Sequence, residues 1–223
     1  MINLNLSKRL FIISSLIEDN SNIIDIGCDH ALLDIYLTNN RKNITCTAVD
    51  INENALKVAR SNIKRNKLEN KIKTIKSDGL LNVDVSNNCI IVISGMGTGT
   101  IKHILNCKKS MCAKQIIIQS NNQLYELRKF MTTRGYVISC EYTVEDKNKY
   151  YVIISFIKGN NKYKKDELLY GPFITRNENG IHNDYLKHLL KKERKIYDKM
   201  PNKHLILKLK KYYSLKKIMG YIK

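Results

Sequence analysis

Five short stretches of this chain carry residue types suited to holding a small charged organic ligand. In Ile24-Asp25-Ile26-Gly27-Cys28-Asp29-His30 an apolar run stops at a glycine and a helix-forming segment follows. A turn of that kind lets backbone approach a nucleotide or cofactor closely. A dinucleotide fingerprint needs three glycines; here Gly27 stands without the second, and Asp29 takes its place. Asp29 would repel a diphosphate but not a sulfonium cofactor, which favours S-adenosylmethionine over NAD. An ordinary strand-to-helix turn remains the competing reading. Asp50 closes the next apolar run, where a carboxylate can accept both ribose hydroxyls or simply cap the helix beginning near Asn52. Ser77-Asp78-Gly79 can meet an adenine edge or be a plain Asp-Gly turn. Ser94-Gly95-Met96-Gly97-Thr98-Gly99 lets the chain pass close under a cofactor or a flat base, or is a flexible loop before a helix. Gln119-Ser120-Asn121 offers two amides to a base edge, or a helix cap.

The elements that must position these stretches follow from apolar spacing. Strands are predicted over 22–26, 44–50, 72–77, 89–94 and 115–119, with helices over 7–18, 31–37, 53–65, 101–107 and 122–133. Continuous β-branched runs such as Cys89–Ser94 suit parallel strands buried on both faces. Two further strands, 136–144 and 150–157, are joined by a short polar connection. Alternation of this kind predicts an α/β fold, a parallel sheet with helices on both faces and a final antiparallel hairpin strand; the element order resembles that of the Rossmann-like class I methyltransferases, a likeness of fold alone. All five stretches then fall at carboxyl ends of parallel strands, where open α/β sheets bind ligands.

Beyond residue 158 the pattern changes. Residues 159–182 read as a linker, and 183–223 as a C-terminal α-helical hairpin, coiled-coil-like, with arms over 184–200 and 204–218 broken at Pro201-Asn202. The chain of 223 residues carries a net charge of +19, and residues 158–223 hold 18 basic and 6 acidic side chains. Charge concentrated in one tail points to a polyanion partner. The 43% apolar content supports a real core, which excludes wholesale disorder. No apolar run reaches the roughly 18 residues of a membrane span, and the first 15 residues lack a secretory pattern. The six cysteines form no C-x-x-C pair, so free thiols in a reducing cytoplasm are expected rather than metal ligands.

Together these pieces resemble the bacterial tRNA (adenine-N1)-methyltransferases that act on adenine 22 in the D arm. The resemblance rests on Leu6-Ser7-Lys8-Arg9-Leu10, Asp25-Ile26-Gly27-Cys28-Asp29-His30-Ala31, Asp78-Gly79-Leu80, Ser94-Gly95-Met96-Gly97, Gln119-Ser120-Asn121, Glu145-Asp146-Lys147 with Tyr150-Tyr151, and Tyr170-Gly171-Pro172. The chain departs from the family's usual pattern at Thr98, where a glycine is usual, and at Ser120, where a proline is. The resemblance implies a methyltransferase domain over 1–158 that uses S-adenosylmethionine, and a basic helical appendage.

Around the cofactor we expect Arg9, Asp25, Gly27, Cys28, Asp29 and His30, then Asp50 with Ile51, Asp78 with Gly79, and Ser94 with Gly95. At the reacting base we expect Ser94, Gly95, Met96, Gly97, Gln119 and Asn121. His30 is either a base for the adenine N6 proton or a helix cap; Arg9 faces a cofactor carboxylate, an RNA phosphate or only solvent. Phosphates of tRNA should meet Lys187, Lys191, Lys192, Arg194, Lys195, Lys208, Lys210 and Lys211. No metal, no membrane and a monomeric, cytoplasmic enzyme are expected. The competing readings are a non-catalytic RNA-binding protein with a relic cofactor fold, a methyltransferase acting on another RNA position, and one acting on a small molecule or protein.

Overall fold

The computed structural model describes residues 6–176, 180–198 and 213–220. Its seven strands are β1 (Asn22–Ile26), β2 (Thr45–Asp50), β3 (Ile72–Lys76), β4 (Cys89–Met96), β5 (Gln115–Ser120), β6 (Tyr136–Asp146) and β7 (Lys149–Lys158). They form one sheet in the order β3-β2-β1-β4-β5-β7-β6. The first five strands run parallel, and β7 inserts antiparallel between β5 and β6. The polar connection between the last two strands shrinks to Lys147-Asn148, both with positive φ. That backbone pair suits a two-residue hairpin, because its twist matches the strands it joins.

Helices cover both faces. On one face α1 (Lys8–Ser15), α2 (Leu32–Asn40) and α3 (Glu53–Arg65) bury Ile13, Leu33, Leu37, Leu56, Ala59 and Ile63. Ser7 caps α1, its hydroxyl accepting from the Leu10 amide. On the other face α4 (Thr98–Leu105) and α5 (Leu124–Thr133) bury Ile101, Ile104, Leu127 and Met131. Strand β4 lies between the two cores, and Ile90, Ile91, Val92 and Ile93 are fully buried. The unbroken apolar run is therefore the mark of a strand covered on both sides.

The stretch 159–182 is not an extended linker. It folds into α6 (Lys165–Tyr170) and α7 (Pro172–Arg176), and α8 (Gly180–Asp198) has already begun. Tyr170 and Ile174 are buried in the α4–α5 core, and the Tyr163 hydroxyl accepts from the Ile138 amide. Gly171-Pro172 cuts the segment into helices too short to show a 3.6-residue period. The apolar stripe of α8 is likewise turned onto the sheet domain: Tyr185 and Leu186 are buried in that core, and His182 bonds the Thr143 hydroxyl of β6 at 2.6 Å. Of the second expected arm, residues 213–218 are helical, with Leu215 buried in the same core and Ser214 bonded to Asp166 of α6. The rest of that arm, with Pro201-Asn202 and Lys208, Lys210 and Lys211, lies outside the described residues.

One buried ion pair fastens this C-terminal portion. Arg128 of α5 donates through Nε to Glu141 of β6 at 2.7 Å, and neither side chain is exposed. Arg128 also donates to the Leu168 and Leu169 carbonyls of α6, while the second Glu141 oxygen accepts from the Phe173 amide of α7. Gly171 passes directly over this pair with φ +97°, and a Cβ there would strike the Glu141 carboxylate. Removing one member of such a pair strands a buried charge. Glu141→Ala should therefore lower unfolding free energy by about 3–5 kcal/mol in urea titrations, and Arg128→Met with Glu141→Leu should recover most of that loss. Equal losses in the single and double variants would contradict this.

Candidate active site

Two hollows meet at the carboxyl ends of β1, β4 and β5. The smaller, about 90 Å³, is lined by Arg9, Asp25, Gly27, Cys28, Asp29, His30 and Ser94, with Leu10, Leu32 and Leu33. The larger is a cleft of about 820 Å³ bounded by the β5–α5 loop, the start of β7 and one side of α8. Arg9 lines both, and the tip of β4 supplies Ser94 to one and Gly95 to the other.

The floor of the small cavity is a tightly tied turn. Gly27 has φ +77°, and a Cβ there would strike the Met96 methyl group. The amides of Gly27 and Cys28 both donate to the Val49 carbonyl, at 2.8 and 3.1 Å. Asp29 and Ala31 adopt positive φ without being glycine, a conformation other residues avoid unless their surroundings enforce it. Part of that enforcement comes from Asp50, whose carboxylate accepts from the Asp29 amide at 3.3 Å and the Asn52 amide at 2.8 Å.

A cradle for phosphates would need free amides, and both amides of this turn are occupied by Val49. The exposed Asp29 carboxylate adds a repulsive charge. Outside the lining of both hollows, but tied to the turn through the Asp29 amide, Asp50 keeps lone pairs for a ligand, and Ile51 next to it in sequence is 64% exposed. A ribose fits the first and a flat apolar ring the second, so the residues present suit a nucleoside cofactor without phosphates. Asp78 and Gly79 stand one strand further out, beyond the lining of either hollow. Asp78 lies 3.5 Å from His103 of α4, and Gly79 is held at φ +56° against Ile104.

The expected base-edge residues separate into two kinds. Gln119 is fully buried. Its Oε1 accepts from Arg9 Nη1 at 2.7 Å, the Gly95 amide at 3.0 Å and the Ser94 hydroxyl at 3.4 Å, while its Nε2 donates to Asn121 Oδ1 at 3.0 Å. Gln119 is therefore a strut, and the base-edge role expected of it is not supported by its surroundings. Asn121 is exposed; one of its amide hydrogens goes to the Gly95 carbonyl at 2.7 Å, and the other is free for a ligand. Gly97 caps α4 with φ −77°. His30 lines the small cavity but not the cleft, and α2 is capped at Ala31 without any side-chain bond. The helix-cap role expected of His30 is therefore not made.

Sequence reading named Thr98 and Tyr150-Tyr151 without giving them a role, and passed over Asn122, Tyr185 and His188 as site residues. Thr98 is buried; its amide donates to Asn122 Oδ1 at 3.0 Å, and its hydroxyl donates to the Asn122 carbonyl at 2.6 Å and pairs with Ser120 at 2.8 Å. The departures from the family pattern at 98 and 120 thus bond each other across the β4 and β5 tips. The cleft has an aromatic wall in which Tyr150 lies 5.9 Å from Tyr185 and 5.2 Å from His188, ring to ring. The Arg9 guanidinium sits 5.4 Å over the Tyr151 ring. Of the expected RNA contacts, Lys187, Lys191, Lys192, Arg194 and Lys195 are exposed on α8, and Lys192 lines the cleft itself. Among the described residues no cluster of three or more His, Cys, Asp or Glu is arranged to hold a metal ion, and no helix is long and apolar enough to cross a membrane.

Asp50→Ala removes the carboxylate offered to a ribose. It should weaken S-adenosylhomocysteine binding by roughly 1.5–3 kcal/mol, as for a lost hydrogen bond to a charged group. Unchanged affinity in calorimetry would remove Asp50 from the cofactor site.

Comparisons with known proteins bear on the same site. A family model described as tRNA (adenine(22)-N(1))-methyltransferase matches residues 23–219. A tRNA (adenine(22)-N(1))-methyltransferase of Bacillus subtilis is 28% identical over 189 residues, covering 81% of this chain and 79% of the relative. A Mycoplasma genitalium protein named as a tRNA methyltransferase is 33% identical over 173 residues, covering 75% and 78%. The M. capricolum TrmK structure in complex with S-adenosyl-homocysteine superposes with a TM-score of 0.86 at 28% identity, covering 98% of this chain and 99% of the other. With a family match spanning residues 23–219, most of its length, this chain belongs to the tRNA (adenine(22)-N(1))-methyltransferase family.

Proposed function

We propose that this chain transfers the methyl group of S-adenosylmethionine to N1 of adenine 22 in tRNA, the small cavity taking the cofactor's amino-acid end and the cleft taking the adenosine turned out of its stack. The observation that carries this reading is the meeting of the two hollows at Arg9 and the β4 tip. A nucleophile in one and an electrophile in the other would face each other across Ser94-Gly95. When bound, the cofactor supplies an electrophilic methyl on a cationic sulfur.

The chain's own task is alignment, because the adenine N1 lone pair needs no deprotonation before it attacks. Holding two reactants in line lowers the barrier by removing the entropy cost of finding that geometry. Gln119 fixes Arg9 and Gly95 together, so the side chain and backbone that flank the reacting atoms move as one unit. Tyr151, held flat under Arg9, offers a face on which a base can stack, and Asn121 offers its free amide hydrogen to the base edge. The adenine leaves its helix at a cost of a few kcal/mol, which stacking in the pocket offsets.

The exposed basic residues of α8 belong to the same reading. Because Tyr185 and Leu186 pack α8 onto the catalytic core, its cationic side is fixed beside the cleft, where the phosphates flanking an extruded nucleotide would pass. We take Lys187, Lys191, Lys192, Arg194 and Lys195 as phosphate contacts, and Lys208, Lys210 and Lys211, outside the described residues, as further ones. The enzyme acts as a monomer in the cytoplasm on this reading; the free state of all six cysteines suits that compartment.

Two measurements test the proposal. Incubating the protein with S-adenosylmethionine and an unmodified tRNA transcript should place 1-methyladenosine at position 22, as mapped by mass spectrometry, and a transcript with guanosine at 22 should receive none. Methyl found at another nucleotide, or only on protein, overturns the assignment. Replacing Lys187, Lys191, Arg194 and Lys195 by alanine should weaken tRNA binding and reduce its salt slope by about one per lost contact, leaving cofactor affinity unchanged. An unaltered slope would move the RNA contacts off α8.

A further inference from the structure

The cleft has room for more than the target base. Its volume is about 820 Å³, whereas small-molecule pockets run from about 300 to 1,000 Å³ and a lone nucleoside belongs near the lower bound. It also holds two aromatic platforms. One is Tyr151, under the Arg9 guanidinium, which bonds the same Gln119 oxygen that holds the Gly95 amide. The other is Tyr150 with Tyr185 and His188, at ring separations of 5.9 and 5.2 Å.

Alternation along β7 keeps the platforms apart. Successive side chains of a strand point to opposite faces. Tyr150 shares its face with Val152, Ile154 and Phe156, in the core under α4 and α5. Tyr151 shares the other with Ile153, in the core under α1, where its cross-strand partner Val144 also packs. One base can therefore not stack on both rings, although both line a single cleft.

We propose that the wall of Tyr150, Tyr185 and His188 is a second base subsite, which takes the base of a nucleotide next to the target adenine in the same RNA strand while Tyr151 takes the adenine. The inference rests on the function proposed above and adds a substrate contact to it. Tyr150 and His188 are then binding residues that hold the strand open beside the reacting base.

The surroundings select that occupant. Neither neighbour lies flat on Tyr150, since the ring planes are tilted by 52° and 48°. The wall is thus an angled aromatic surface and not a closed stack. Tyr150 is half-buried and His188 exposed. Cations stand beside both: Lys149 precedes Tyr150, Lys192 follows His188 by one turn of α8, and both line the cleft, where among the described residues Glu193 is the one acid. Aromatic faces with lysines alongside are how single-stranded nucleic acid is held, the rings taking bases and the cations taking backbone. Turning a nucleotide out of its helix also unstacks its neighbours, and a base left without a stacking partner gains most from such a wall.

The test removes the base and the wall separately and together. Synthetic tRNAs that carry adenine 22 but lack the neighbouring base, on its 5′ or its 3′ side, are compared with the intact tRNA as substrates of the native protein, Tyr150→Leu and His188→Ala. Leucine keeps the apolar packing at position 150, and His188 is exposed, so both variants retain the core. For one of the two abasic tRNAs the native kcat/KM should fall by about tenfold, the worth of one stacked base. Each variant should lose activity on the intact tRNA and little more on that abasic one, because the contact is already gone. Losses that multiply on both abasic tRNAs, variants as active as the native protein on intact tRNA, or a native protein indifferent to both missing bases would each overturn the subsite and leave the methyl transfer standing. No methyl on adenine 22 of the intact tRNA with the native protein overturns the function proposed above and this inference with it.

Discussion

The buried side chain of Gln119 is the contact on which the reacting region depends. A carboxamide has one acceptor and one donor end, and here each is committed: the oxygen gathers Arg9, Ser94 and Gly95, and the nitrogen holds Asn121. Three pieces of chain far apart in sequence, α1, the tip of β4, and the end of β5 with the loop that follows it, are fixed to one another through one carboxamide group. Burying an amide is costly unless every polar atom is bonded, and that condition is met here. An apolar residue at 119 would leave the Gly95 amide and the Arg9 guanidinium without their acceptor, at the boundary between cavity and cleft.

The cleft is as much a product of the C-terminal region as of the sheet. Its far wall is α8, and α8 stands where it does because Arg128 and Glu141 hold α6 and α7 in place and because Tyr185, Leu186 and Leu215 complete the core of the sheet domain. A separate basic appendage on a tether could deliver phosphate contacts, but it would not set their distance from the strand tips. On the proposed function, fixing α8 to the core would convert sequence-independent attraction for phosphate into a register that chooses which nucleotide reaches the cleft.

The parallel sheet was legible in the sequence because β-branched runs such as Cys89–Ser94 have no other stable home, and the strand-tip positions of Gly27, Asp50 and Asn121 were legible because each stands at the end of such a run. Gln119 was found in the right place with the wrong role, since a polar side chain at a strand tip looks the same whether it points to a ligand or inward. Residues 159–182 were misread because helices of five or six residues do not complete enough turns to show periodicity. Thr98 looked like a disturbance of a glycine loop, and only the fold reveals Ser120 and Asn122 waiting for its hydroxyl.

The most direct measurement is a crystal structure of the full chain with S-adenosylhomocysteine and a tRNA D-arm hairpin carrying adenine 22. The geometry predicts an extruded adenine in the cleft, its face on Tyr151, its edge at Asn121, its N1 toward Gly95, and phosphates along Lys187, Lys191 and Arg194. An adenine left in its helical stack, or an RNA bound along the β3 edge of the sheet with the cleft empty, would contradict it.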